Sequence, residues 1–282
     1  MDDAMTITAA DPLLDRLSTT AELIFTSHNG KKTAWRRWGS GPALVFLHGG
    51  SGSWRHWVRN IEHFSGDHTV LAPDLPGFGN SDEPDYPADG DVMGAALAQG
   101  LDTLLPPKEH YDLVAFSYGG SMASQLLLHQ PNRQRSITLA AAAGLAETRP
   151  PPMLSVRGKT AGELVAAHRT NLANIMIADP ARIDALALRI QHENTMEARL
   201  KVRNVKRGPG LKHTLEGFKG KVAAVWGERD TFLYPGALEE RISTLLRLQP
   251  QAQIRLLPDT GHWLAFEAAP TFNSFLRGVL ER

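Results

Sequence analysis

Apolar residues in this chain come in short unbroken runs, separated by stretches with helical spacing. Ala43-Leu-Val-Phe-Leu47, Leu113-Val-Ala-Phe116 and Val222-Ala-Ala-Val-Trp226 contain no polar position, as expected of strands covered on both faces. Val70 to Ala72, Ser136 to Ala142 and Ile254 to Leu257 read as further strands. Nearer the amino terminus, Ala21 to Thr26 and Thr33 to Trp38 read as two strands joined through Ser27-His28-Asn29-Gly30, an Asn-Gly hairpin signal. Helical patterns occupy Trp54 to Phe64, Asp91 to Leu105, Met122 to Gln130, Ala237 to Leu248 and Ala265 to Leu280. This alternation predicts a mostly parallel α/β sheet flanked by helices, with ligands gathering beyond the carboxyl ends of the strands.

The rhythm breaks once. Thr148-Arg-Pro-Pro-Pro152 is a stiff hinge, and residues 161 to 203 hold two helical patterns with no strand between them. Asp179-Pro180 supplies a cap and a first-turn proline for the second. The expected organisation is a core of residues 1–146 and 218–282 with an inserted helical lid at 147–217. On the first lid helix Leu164, His168, Leu172 and Ile175 share a stripe, which makes His168 either a core histidine or a residue facing a substrate pocket.

Composition narrows the chemistry. The 282 residues include 30 Lys plus Arg against 30 Asp plus Glu, so no net field favours nucleic acid or an anionic membrane. The expected partner is a small molecule, and association into homo-oligomers stays open. The absence of cysteine removes disulfides, thiolate nucleophiles and cysteine-bound metals. The first residues, Met1-Asp-Asp-Ala-Met-Thr, lack the basic and apolar segments of a signal peptide, and no apolar run approaches a membrane span, so a cytoplasmic protein is expected.

One serine stands where a buried strand gives way to a helix, in Ala115-Phe-Ser117-Tyr-Gly119. A hydroxyl is a weak nucleophile at neutral pH and needs a tight turn that exposes it and a base that takes its proton. The pattern departs from G-x-S-x-G only in Ala115, the next smallest side chain. Asp230 follows the strand ending at Trp226, and His262 follows the strand ending at Leu257, so a candidate nucleophile, acid and base each stand just past a strand's carboxyl end in the order Ser, Asp, His. Glu228 and Glu147 are rival acids; the short loop before Asp230 favours it. An oxyanion needs backbone donors: the N–H of Tyr118, after the nucleophile, and that of Gly50, in the loop His48-Gly-Gly-Ser-Gly-Ser53. That loop carries neither G-x-x-x-x-G-K nor G-x-G-x-x-G, which argues against phosphate binding.

Across nearly its whole length the sequence resembles the α/β-hydrolase superfamily, through His48-Gly-Gly50, Asp74-Leu-Pro-Gly-Phe-Gly-Asn-Ser81, the Ser117 turn, Trp226-Gly-Glu-Arg-Asp230 and Gly261-His-Trp263. Within it, Trp54 to Asn60 and His262-Trp263 resemble the carbon-carbon hydrolases that split meta-cleavage products of aromatic degradation. Two features depart from that group: a shorter glycine loop, and Phe116 in place of a polar residue before the nucleophile. The closer resemblance implies that a lid arginine, here Arg189, grips a substrate carboxylate and that Trp263 contacts substrate.

These readings converge on a serine hydrolase using Ser117, His262 and Asp230 through an acyl-enzyme, with no metal or organic cofactor. A carboxylic ester or lactone leads as substrate. Carbon-carbon cleavage is the alternative, an iminopeptidase is less favoured, and a ligand receptor with slow or no turnover represents a different class. A serine at the turn argues against the dehalogenase and epoxide hydrolase chemistry that uses aspartate there.

Overall fold

The computed structural model describes residues 7–281. Eight strands form one sheet in the order β1-β2-β4-β3-β5-β6-β7-β8: β1 (Glu22–His28), β2 (Lys31–Trp38), β3 (Ala43–Leu47), β4 (Thr69–Pro73), β5 (Tyr111–Phe116), β6 (Gln134–Ala140), β7 (Lys221–Gly227) and β8 (Gln253–Leu257). Strand β2 is antiparallel to both its neighbours, β1 and β4, and the strands from β3 to β8 pair in parallel. Every residue of β3 and β5 is buried, which explains why their sequences show no polar alternation. The β1–β2 turn is a two-residue loop in which Asn29 and Gly30 both have positive φ, 50° and 76°, the geometry that matches strand twist.

Helices α1 (Pro12–Thr20), α2 (Ile61–Ser65), α3 (Gly90–Leu104), α4 (Gly119–His129), α8 (Ala237–Leu248) and α10 (Ala269–Leu280) flank the sheet. Trp35, Trp54, Trp57, Trp226 and Trp263 are fully buried and anchor a continuous core. The Asp74–Ser81 loop has a structural account. Buried Asp74 accepts hydrogen bonds from the Arg36 guanidinium (3.0 Å) and the backbone N–H groups of Trp54 (3.1 Å) and Asn80 (3.0 Å). At Gly79, φ is +50° and a Cβ would fall 2.4 Å from that carboxylate.

Between Ala140 and Lys221 the chain leaves the sheet. This insertion carries α5 (Ala161–Asn171), continued by a π turn at Leu172–Met176, then α6 (Ala185–Glu197) and α7 (Leu211–Glu216). It is tied to the core beside the glycine loop: Arg55 bridges Glu193 (2.8 Å) and Glu197 (2.7 Å) of α6, Arg59 pairs with Asp184, and the Ser53 hydroxyl donates to Asn194 (2.6 Å).

Three helix expectations need revision. Trp54 to Phe64 is a 3-10 turn at Trp54–Trp57 followed by the separate α2; Asn60, between them, donates its side-chain amide to Ala265 O (3.0 Å) and Asn273 (2.8 Å). Asp179 and Pro180 open only a 3-10 turn, Pro180–Arg182; the long helix starts later, capped by Asp184, which accepts the Ala187 N–H. The terminal helix is broken at Ala268 into α9 (Leu264–Glu267) and α10, whose first turn holds Pro270.

Candidate active site

Strand β5 ends at Phe116 and delivers Ser117 in the left-handed region at φ 52°, so the serine stands on a strained elbow. Its N–H is held by Ala140 O (3.1 Å), and its carbonyl accepts from Ala143 (2.9 Å). The glycines that follow let α4 press against the sheet: a Cβ on Gly119 would lie 2.6 Å from Leu47 O, and one on Gly120 2.7 Å from Ala143 O.

Three residues distant in sequence meet there. Ser117 Oγ lies 2.9 Å from His262 Nε2, and His262 Nδ1 lies 2.8 Å from Asp230 Oδ2. The other carboxylate oxygen, Oδ1, accepts the Phe232 N–H at 2.9 Å. With Asp230 ionised, Nδ1 carries the imidazole proton and leaves the Nε2 lone pair facing the hydroxyl. His262 and Asp230 are both buried, and the rings of Phe232 and Phe116 stand 4.3 and 5.0 Å from the imidazole. The dry surroundings strengthen both polar contacts. Of the rival acids, Glu228 is exposed and Glu147 faces Arg149 at 3.2 Å on the cavity rim.

A cavity of about 540 Å³ opens over Ser117. Gly50 and Tyr118 both line it. Their backbones are close, since a Cβ on Gly50 would lie 3.7 Å from Tyr118 Cβ, and neither N–H has a partner among the described residues. The Tyr118 phenol is pushed above its usual pKa by burial. Met122, Met153, Ile175, Val202 and Phe232 supply much of the remaining wall, a largely apolar surface with few polar groups. At one edge lie Arg203, Lys206 and Arg207. Lys206 pairs with Asp89 (3.1 Å), whereas Arg203 and Arg207 have no ion pair or hydrogen bond among the described residues.

Three other expected site residues lie elsewhere. Arg189 turns away from the cavity to Glu193 (2.8 Å) and to Asp15 of α1 (2.9 Å). His168 is fully buried between α5 and α6, its Nε2 3.2 Å from His192 Nδ1, and burial first, then His192, pushes its pKa down to about 4. Trp263 is buried against Phe266 and His56, its indole N–H given to His56 O at 2.8 Å. Conversely, His56, Gln191, Arg203 and Arg207 line the cavity and were not singled out in the sequence. For the arginines a signal existed: the basic run Lys201-Val-Arg-Asn-Val-Lys-Arg207 closes the insertion. Among the described residues no group of three or more His, Asp or Glu is placed to hold a metal ion, and no helix is long and apolar enough to cross a membrane.

Comparison with known proteins places this architecture. A model of the alpha/beta hydrolase family matches residues 44–273. A 2-hydroxy-6-oxo-6-phenylhexa-2,4-dienoate hydrolase from Burkholderia cepacia is 28% identical over 252 residues, covering 83% of this chain and 86% of that one. The dihydrolipoyllysine-residue acetyltransferase component of the acetoin cleaving system of Pseudomonas putida is 29% identical over 268 residues, covering 90% of this chain and 68% of its own length. Among solved structures, a carboxylesterase from Bacillus subtilis superposes with a TM-score of 0.76 at 20% identity, covering 99% of each chain.

Proposed function

The chain belongs to the alpha/beta hydrolase family, and from that premise we propose that it cleaves a carboxylic ester or lactone of a small, partly apolar molecule by covalent serine catalysis. The observation that carries this reading is the hydrogen-bonded relay from Asp230 through His262 to Ser117, opening onto an apolar cavity.

Ser117 Oγ attacks the acyl carbonyl as His262 Nε2 takes its proton. Asp230 holds the tautomer and faces the imidazolium that forms. The tetrahedral oxyanion accepts from the N–H groups of Tyr118 and Gly50, each worth about 3 kcal/mol in the transition state. His262 returns the proton to the leaving alkoxide, and water then releases the acyl group by the same steps in reverse order. Residues 147–217 act as the lid, and their apolar side chains select the substrate.

A second reading, hydrolysis of a carbon-carbon bond in a dienoate acid, draws support from the two unpaired guanidiniums of Arg203 and Arg207 at the cavity edge and from the named activity of the Burkholderia cepacia relative. Turnover of short 4-nitrophenyl esters that vanishes in Ser117→Ala supports the leading reading. Rapid bleaching of a dienoate chromophore with poor esterase activity selects the second. Ligand binding with no Ser117-dependent turnover of either substrate would reject both and leave a receptor.

A further inference from the structure

His56 is buried, lines the cavity, and has no part in the relay. Its Nδ1 is the acceptor for the Gly49 N–H at 3.2 Å. An imidazole nitrogen that accepts an N–H carries no proton itself, so the proton of His56 sits on Nε2. The opposite side of the same glycine is held by a second buried histidine. His48 Nδ1 donates to Gly49 O (2.7 Å), and His48 Nε2 accepts the Leu75 N–H (2.8 Å), which fixes His48 as a neutral imidazole too. Both polar groups of Gly49 are therefore gripped by neutral imidazoles, and the next residue in the chain is Gly50.

Further contacts hold His56 still. Its backbone carbonyl accepts from Trp263 Nε1 at 2.8 Å, its backbone N–H donates to Ser53 O at 3.0 Å, and its ring packs edge-on to Phe116 with centroids 5.3 Å apart. The glycine loop is moulded onto it: a Cβ on Gly52 would fall 2.3 Å from His56 Cε1. Burial, with His48 and His262 nearby, pushes the His56 pKa well below the usual histidine value, so the accepting form persists at neutral pH.

We propose that His56 is a positioning residue that acts through Gly49, holding the glycine loop so that the Gly50 N–H is aimed at the forming oxyanion before substrate binds. This rests on the serine-hydrolase reading above. Preorganised donors lower the barrier only if they need not reorient at the moment of reaction, and a turn with three glycines in six residues, His48 to Ser53, would otherwise sample many conformations.

The test compares His56→Leu, His56→Asn and His56→Gln with the unaltered chain, using a 4-nitrophenyl ester for kcat and KM and a trifluoromethyl ketone, whose serine adduct carries an oxyanion, for Ki. The Asn side chain places an oxygen near the position of Nδ1, whereas Gln reaches toward Nε2. Expected is a fall in kcat of about 10- to 100-fold in the Leu and Gln variants with KM changed less than about twofold. Ki should rise by the same factor, and the Asn variant should recover most of both losses. Wild-type kcat and Ki in the Gln variant, or a loss that Asn does not repair, overturns the proposal. If the Leu variant fails to fold, the Asn and Gln pair decides alone. Ser117→Ala in the same ester assay separates the two levels: surviving turnover there rejects the serine mechanism, whatever the His56 variants do.

Discussion

Glu267→Gln tests how the His262 loop is held in place. Glu267 ends α9 and is buried. Its Oε2 accepts the N–H of Gly261 (2.7 Å) and of Ala178 (3.1 Å), and its Oε1 accepts that of Asp179 (2.9 Å). One carboxylate thus joins the residue beside His262 to the insertion, a joint reinforced by Trp263 N–H donating to Met176 O at 2.7 Å. The two segments are in tight contact, since a Cβ on Gly261 would fall 2.7 Å from Ala178 N. Glutamine preserves volume but offers one acceptor oxygen. Placed at Oε2 it keeps two bonds, weakened by loss of charge, and sets an NH2 against the Asp179 N–H. A hydrogen bond to a charged group contributes about 1.5–3 kcal/mol, and an unmet buried donor costs about 1–3. A destabilisation of about 2–4 kcal/mol is expected by urea unfolding, with kcat falling more than KM rises because His262 follows Gly261. A loss under about 1 kcal/mol with unchanged kcat would refute the joint.

Three further outcomes are expected. Asp230→Asn keeps the shape but favours the wrong imidazole tautomer, so kcat should fall by about 10⁴ in stopped-flow ester hydrolysis; a loss below tenfold would contradict the relay. Arg207→Ala should lower kcat/KM for a substrate with a free carboxylate by about tenfold relative to its neutral methyl ester, and equal losses on both would remove the cationic edge from substrate selection. Burial pushes His48 down to about 4, so between its unfolded value near 6.5 and about 4 the unfolded chain binds the extra proton. Stability is complete above pH 6.5 and falls as pH drops: about 2 kcal/mol should be lost between pH 7 and 5 from this group alone, with His56 and His168 acting in the same direction. Urea midpoints that stay flat across that range would contradict the neutral histidines.

Much of the fold was legible because its signals are local. The unbroken apolar runs of β3, β5 and β7 announce strands with two covered faces, and the Asn29-Gly30 pair marks the hairpin. The elbow at Ser117 and the loops holding Asp230 and His262 could be placed by their distance from those runs. The resemblance that points to Arg189 carries no information on which face of α6 meets the cavity; tertiary packing sets that face, and the guanidinium is taken up by Glu193 and by Asp15 of α1. Gln191, two residues along the same helix, faces the cavity instead. The site of His56 was equally hidden, since its partner is the backbone N–H of Gly49 and no side-chain pattern reports it.

Strands β6 and β7 pair directly although the entire helical insertion lies between Ala140 and Lys221. Closing a loop costs free energy that grows only with the logarithm of its length, so the sheet is nearly indifferent to how much chain departs and returns at that point. The segment can therefore lengthen, shrink or be exchanged by recombination while the strands on either side keep their register.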